Sequence, residues 1–238
     1  MGVNATTSIP IYADGEILEA SRLNVTNSGI PVFATTTTRD AAFGGTGEKV
    51  LAEGQFAYIE ASNTTQYYDG AAWQTVGGGL TLIKSQTIGN AVSSVTVSDV
   101  FSSTYDNYRV IVSGGVASAN NRLNLTFGAT TTGYYRFLIY GNYSSNTVNG
   151  EFAANSSSFS DVGTGSVNSL SCVVDIIAPN LAKNTGIHAH TAQTATNGLV
   201  FFNQGYLANT TQYTAFTFTA STDNWTGGTI RVYGYQNS

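Results

Sequence analysis

Few residues in this chain have the type and spacing that chemistry requires. The only two histidines form His188-Ala-His190. On a strand, residues i and i+2 project from one face, so both imidazoles can reach one metal ion. Two nitrogens are too few for zinc, which usually takes four ligands. Three such pairs around a three-fold axis would offer six, which suits an octahedral transition ion. The pair is therefore a metal candidate only on a trimer axis; elsewhere it reads as two exposed or hydrogen-bonded histidines near a strand end. The Gly-rich stretch Gly44-Gly-Thr-Gly-Glu-Lys-Val50 fails as a phosphate loop. Such a loop needs Gly-Lys followed by Ser or Thr between a strand and a helix, whereas Glu48 separates Gly47 from Lys49 and Val50 follows. A turn is the expected structure.

Nucleophiles and acids are equally sparse. Cys172 is the single cysteine and sits in the apolar run Leu170–Ile177, where a buried, inert thiol is expected and no intrachain disulfide is available. Asp99, Asp106, Glu151, Asp161, Asp175 and Asp223 lie far apart along the C-terminal two thirds. No motif nominates two of them as a glycosidase pair, and no Gly-x-Ser-x-Gly elbow occurs. The expectation is no enzyme, no catalytic residue and no cofactor.

The aromatic residues offer binding instead. Tyr134, Tyr135, Tyr140 and Tyr143 bracket Gly141-Asn142, and Tyr206 and Trp225 lie in the C-terminal part. Rings of this kind stack on sugars or on a protein surface while neighbouring amides bond polar groups. The same rings also serve β proteins as cross-strand pairs. These six are the candidates for contact with a receptor or another subunit.

Composition narrows the classes further. Of 238 residues only 10% are charged and 42% are hydrophobic, while Thr, Ser and Asn number 33, 23 and 21. No apolar run approaches the roughly 18 residues of a membrane helix, so no membrane insertion is expected. Nine basic residues scattered singly against 14 acidic ones, for a net charge of −5, do not make the basic patch that nucleic acid requires. With 14 Tyr and 12 Phe the chain is too apolar for intrinsic disorder.

The elements that must position these residues fall into three stretches. Residues 1–30 are polar, with Asp14–Asn24 as a short helix candidate capped by Asp14. Residues 31–79 read as a small β-hairpin module: Phe56–Ile59, Gln66–Tyr68 and Ala71–Val76 are strand candidates, with Asp69-Gly70 as a type I′ turn. Trp73 then faces the Tyr67/Tyr68 strand. Gly77-Gly-Gly79 ends the module as a linker. Residues 80–238 carry about ten strand candidates at short spacing: Leu80–Ile88, Val92–Val97, Tyr108–Val112, Leu123–Phe127, Tyr134–Tyr140, Ser169–Ile177, Gly186–Thr191, Leu199–Asn203, Tyr213–Thr219 and Thr229–Tyr235. Several alternate strictly, as in Leu123, Leu125 and Phe127 against Asn124 and Thr126. The fold class is all-β, with a C-terminal β-sandwich of jelly-roll-like form.

The segment Asp14-Gly-Glu-Ile-Leu-Glu-Ala-Ser-Arg-Leu-Asn24 resembles a short N-terminal segment of tailed-bacteriophage tail and fibre proteins. Arg39-Asp-Ala-Ala-Phe43, Gly44–Lys49, Leu51–Gln55 and Gln66-Tyr-Tyr-Asp-Gly-Ala-Ala-Trp73 resemble a small module of phage minor structural proteins. Phe101–Val112 and the ending Gly228–Tyr235 are similar to the β-sandwich tip domains that follow it. The resemblance implies a virion structural protein of the tail-fibre or minor-tail type, located on the phage particle surface. It further implies a homotrimer, anchored to other virion proteins of tail or capsid through its N-terminus, with Ile17, Leu18, Arg22 and Leu23 as attachment residues. The C-terminal domain would meet a host cell-surface glycan or protein. A head fibre or capsid decoration protein would share this architecture, and a polysaccharide-degrading tailspike would add a carboxylate cluster.

Overall fold

The computed structural model describes residues 6, 7, 9, 11, 14–17, 29–46, 48–77, 79–193 and 198–237. The chain divides into two compact units, residues 1–78 and 79–238. Asp14 and Gly15 form a turn with Gly15 at φ +80°. A left-handed residue cannot sit in the first turn of an α-helix, so no helix starts at Asp14; the rest of that candidate, from Leu18, lies outside the described residues.

In the small unit, β1 (Val32–Phe33) runs parallel to β2 (Phe56–Ile59), and β2, β3 (Thr64–Tyr68) and β4 (Trp73–Thr75) follow as an antiparallel meander. The predicted strands are present. The hairpin is wider than expected: four residues connect β3 to β4, and of the Asp69-Gly70 pair only Gly70 has positive φ. Asp69 closes the loop by accepting the amides of Ala71 and Ala72 on its carboxylate, at 2.8 and 2.7 Å. These amides, Ala72 first, together with the Gln74 side chain hold the Asp69 carboxyl below its ordinary pKa.

Between β1 and β2 lies a helix that sequence reading missed, α1 (Thr36–Asp40). Thr35 caps it: its hydroxyl accepts the Thr38 amide and the Thr38 hydroxyl accepts the Thr35 amide. This is the reciprocal capping box, with Thr in place of Glu. The helix delivers Arg39 into the unit, where its guanidinium lies 4.6 Å from the Trp73 ring centre and donates to Gln66 and Asp40. Trp73 also meets Tyr68 at 5.7 Å and Phe43 at 5.9 Å. Beneath them pack Phe33, Ala42, Ala57, Ile59 and, from the first thirty residues, Ile9.

The large unit is a two-layer antiparallel sandwich. Its strands are β5 (Leu80–Thr87), β6 (Ser94–Val97), β7 (Asn107–Ala117), β8 (Asn121–Thr126), β9 (Tyr134–Asn142), β10 (Val148–Ser156), β11 (Phe159–Ser166), β12 (Ser169–Ile177), β13 (Thr185–Ala192), β14 (Leu199–Leu207), β15 (Phe216–Ala220) and β16 (Trp225–Tyr235). One layer has the order β10-β9-β14-β13-β12-β7-β16-β5, the other β11-β8-β15-β6. They are joined at a corner where β12 pairs with β11 through residues 169–171 and with β13 through residues 173–177, while β7 pairs with it from residue 170 to 177. Successive strands β5 to β9 alternate between the layers, the jelly-roll-like weave expected of such sandwiches. Rings close the gap: Tyr134 meets Phe159 edge-on at 4.9 Å, and Phe101 meets Tyr108 at 4.7 Å and Phe216 at 5.7 Å.

Strict alternation translates directly into burial. Leu170, Cys172, Val174 and Ile176 are buried while Ser171, Val173, Asp175 and Ile177 are half-exposed, and Phe216 and Phe218 are buried against Thr217 and Thr219. In the large unit two strands, β10 and β11, escaped the sequence reading, as the two-residue β1 did in the small unit. In β11 (Phe-Ser-Asp-Val-Gly-Thr-Gly-Ser) the apolar signal is absent because the corner has no room for side chains. A Cβ on Gly163 would stand 2.7 Å from the Cys172 Cβ, and one on Gly165 2.9 Å from the Ala117 Cβ.

Candidate functional site

Strands β9 and β14 are apolar on both faces and only one face meets the second layer; β10 extends them at the edge with Val148 and Phe152 on the outward side. The outward face is fixed by register: Phe152 pairs with Phe137, which pairs with Gln204, which pairs with His188. The next row is Gly150, Ile139, Phe202, His190 and Val173. Phe137, Phe152 and Phe202 are 56, 78 and 58% exposed. Tyr135 and Tyr206 pair across the same face with rings 5.1 Å apart and 6° from parallel. Tyr135, Tyr206, Phe137 and Phe152, with Gln204 and His188, line an open groove of about 460 Å³. This face is the candidate contact site.

The predicted contact residues divide. Tyr135 and Tyr206 lie on the outward face, and Tyr143 is exposed just beyond β9. Tyr140 lies on the opposite side of β9 and packs on Phe201. Tyr134 and Trp225 must be removed from the set, since both are buried in the core. The Tyr134 hydroxyl accepts the Phe127 amide at 2.9 Å, and burial pushes its pKa up to about 12. Trp225 is out of reach of any partner. Of the proposed attachment residues, Ile17 is exposed; Leu18, Arg22 and Leu23 lie outside the described residues.

His188 and His190 project from one exposed face of β13, as period two requires. Opposite His188 stands Asp175, but its carboxylate is engaged, accepting Arg109 Nε and Nη2 at 2.7 and 2.6 Å and the Tyr235 hydroxyl at 2.8 Å. Among the described residues no group of three or more His, Cys, Asp or Glu is placed to hold a metal ion. Cys172 is buried, its thiol donates to the Val162 carbonyl, and burial raises its pKa.

Two carboxylates of the large unit, Asp161 and Asp175, are held by arginines. Asp161 lies between two of them, accepting Arg136 at 3.0 Å and Arg122 at 3.2 Å. Asp175 is partly buried, which raises its pKa, but the bonds from Arg109 and Tyr235 outweigh burial and leave it below the ordinary value. A depressed carboxyl contributes stability above its unfolded pKa of about 3.9 and loses it as pH falls through the folded value. Unfolding midpoints measured from pH 6 down to pH 2.5 should therefore drop below about pH 4 in the wild type. Asp175→Asn should be less stable at pH 6 and should lose less stability below pH 4. Parallel curves would remove Asp175 from the acid response.

Phe137, Ile139, Phe152 and Phe202 were absent from the sequence-derived candidates. A signal for three of them exists: Tyr134–Tyr140 and Leu199–Phe202 are apolar at both parities, the pattern of strands covered on both faces. Comparison with known proteins leaves the site to be argued from its own geometry, since no family model, curated protein or solved structure matches the chain.

Proposed function

We propose that this chain is a bacteriophage virion structural protein of the tail-fibre or minor-tail type, working by assembly and binding without catalysis. In this reading it is a homotrimer. The N-terminal stretch joins the particle, and the C-terminal sandwich meets a glycan or protein of the host surface. One observation carries the proposal: Arg39, Phe43, Gln66 and Trp73, drawn from two of the motifs behind the sequence resemblance, gather in one packed cluster. The resemblance thus rests on residues that depend on one another physically. The exposed aromatic face of the large unit supports a binding role, and the pairing of Asp161 and Asp175 with arginines gives catalysis no free carboxylate at those positions.

Antibody-gold labelling of purified virions is expected to mark the tail tip, and removing residues 1–30 should abolish incorporation. Label on the capsid would replace the tail reading with head fibre or decoration protein. Release of new reducing ends from host polysaccharide would replace it with a tailspike, and particles without label would overturn it.

A further inference from the structure

We propose that the outward face of β9, β14 and β10 packs against the same face of another copy of this chain about a symmetry axis. The inference deepens the homo-oligomeric part of the reading above and rests on it. Three observations carry it. First, Val148, Phe152, Phe137, Ile139, Phe202 and Tyr206 are each 44–78% exposed on neighbouring strands. With a full aromatic side chain counted at roughly 200 Å², their exposed surface is on the order of 600–700 Å². That exceeds what a monomer usually shows in one patch and approaches the roughly 800 Å² that each partner buries in a stable interface.

Second, the face suits contact with itself. On β9, β14 and β10 its residues include no Asp, Glu, Lys or Arg; Arg136 and Glu151 belong to the other face. Residues on a symmetry axis meet their own copies, so an uncharged centre avoids like-charge repulsion there, whereas a different partner would gain by complementing charge. A chain of net charge −5 approaches its copy with least repulsion here. Third, the patch continues to a free edge. β10 pairs only with β9 among the described residues. Its nine residues hold neither Lys nor Pro, and Glu151 is their one charge. Exposed edges normally carry such residues to prevent pairing with another chain; this edge lacks them.

The test is the molar mass of the full chain in solution, by light scattering and sedimentation velocity. The wild type should be a multiple of 25.0 kDa, with three copies matching the expected trimer and two copies retaining the face but replacing the trimer. The double variant Phe137→Glu/Phe152→Glu should fall to a single chain with its unfolding midpoint retained. Val167→Glu, exposed in the β11–β12 turn, should leave the mass unchanged. If the double variant does not fold, Phe152→Cys provides the readout: mild oxidation should link copies covalently while Val167→Cys does not, with Cys172 buried and out of reach. A multiple mass that survives both glutamates, or no linkage at position 152, would overturn this face and leave the oligomer standing. A wild type that stays monomeric overturns both, and if it then binds host glycan only with Phe137 and Phe152 intact, the occupant is that ligand. An oligomer split by the glutamates but missing from virions would sink the appendage reading alone.

Discussion

Replacing Trp225 with Ala should destabilise the large unit by about 3–5 kcal/mol, the range for truncating a buried aromatic. At roughly 2–4 °C per kcal/mol for a unit of this size, the melting temperature should fall by roughly 6–20 °C. Trp225 is fully buried at the start of β16, and its backbone exchanges hydrogen bonds with Val92 at 2.8 and 2.9 Å. Its side chain belongs to the one core cluster that joins both layers, so an alanine leaves a void that backbone pairing on both sides prevents from collapsing. The indole Nε1 has no hydrogen-bond partner among the described residues. Trp225→Phe therefore loses no bond and relieves a buried donor that is unfavourable by about 1–3 kcal/mol, so it should be much milder than Ala. Thermal unfolding of the three proteins checks this. An alanine variant that melts with the wild type would mean that Trp225 does not fill the core.

The second large effect is expected at Asp161. Its side chain is 16% exposed, bound to Arg136 at 8% and to Arg122 at 31%. Asp161→Ala leaves the deeply buried Arg136 charge with only the longer 3.7 Å pairing to the half-exposed Glu151, and breaking a buried pair by removing one partner usually destabilises by about 3–5 kcal/mol. The partly exposed Arg122 recovers water, which argues for the lower end. Asp161 also has φ +60°, a left-handed conformation that Asn tolerates and Ala does not. Asp161→Asn should thus fall between wild type and Ala. Urea unfolding with an unchanged m-value would give the differences; equal midpoints for Asn and Ala would show that neither backbone conformation nor side-chain hydrogen bonding matters here.

These two residues also mark where reading the sequence succeeds and fails. Asp161 was one of six scattered carboxylates in the sequence. Its role depends on β8, β9 and β11 converging, since Arg122 is 39 residues away and Arg136 is 25. Ion pairs of such separation leave no local pattern. Trp225 was a contact candidate because aromatic type and C-terminal position do not say which face of a strand points inward. Tyr134 and Tyr135 make the same case as neighbours: one is in the core, the other stacked outside on Tyr206.

The sequence by itself determined the β class, most strand positions and the buried Cys172, because period-two alternation and turn residues act over a few neighbours. It missed the two-residue β1, too short to alternate, and β10 and β11, where exposure in one and crowding in the other erase the alternation. It also missed α1, a single capped turn too short for periodicity. Only the tertiary structure decided which parity of each strand faces the second layer. A strand apolar on both sides, as β9 and β14 are, offers two equivalent choices locally, and their pairing with each other resolves both together. That choice buried Tyr134 and Leu138 and left Phe137, Ile139, Phe152 and Phe202 outside as the face for another molecule.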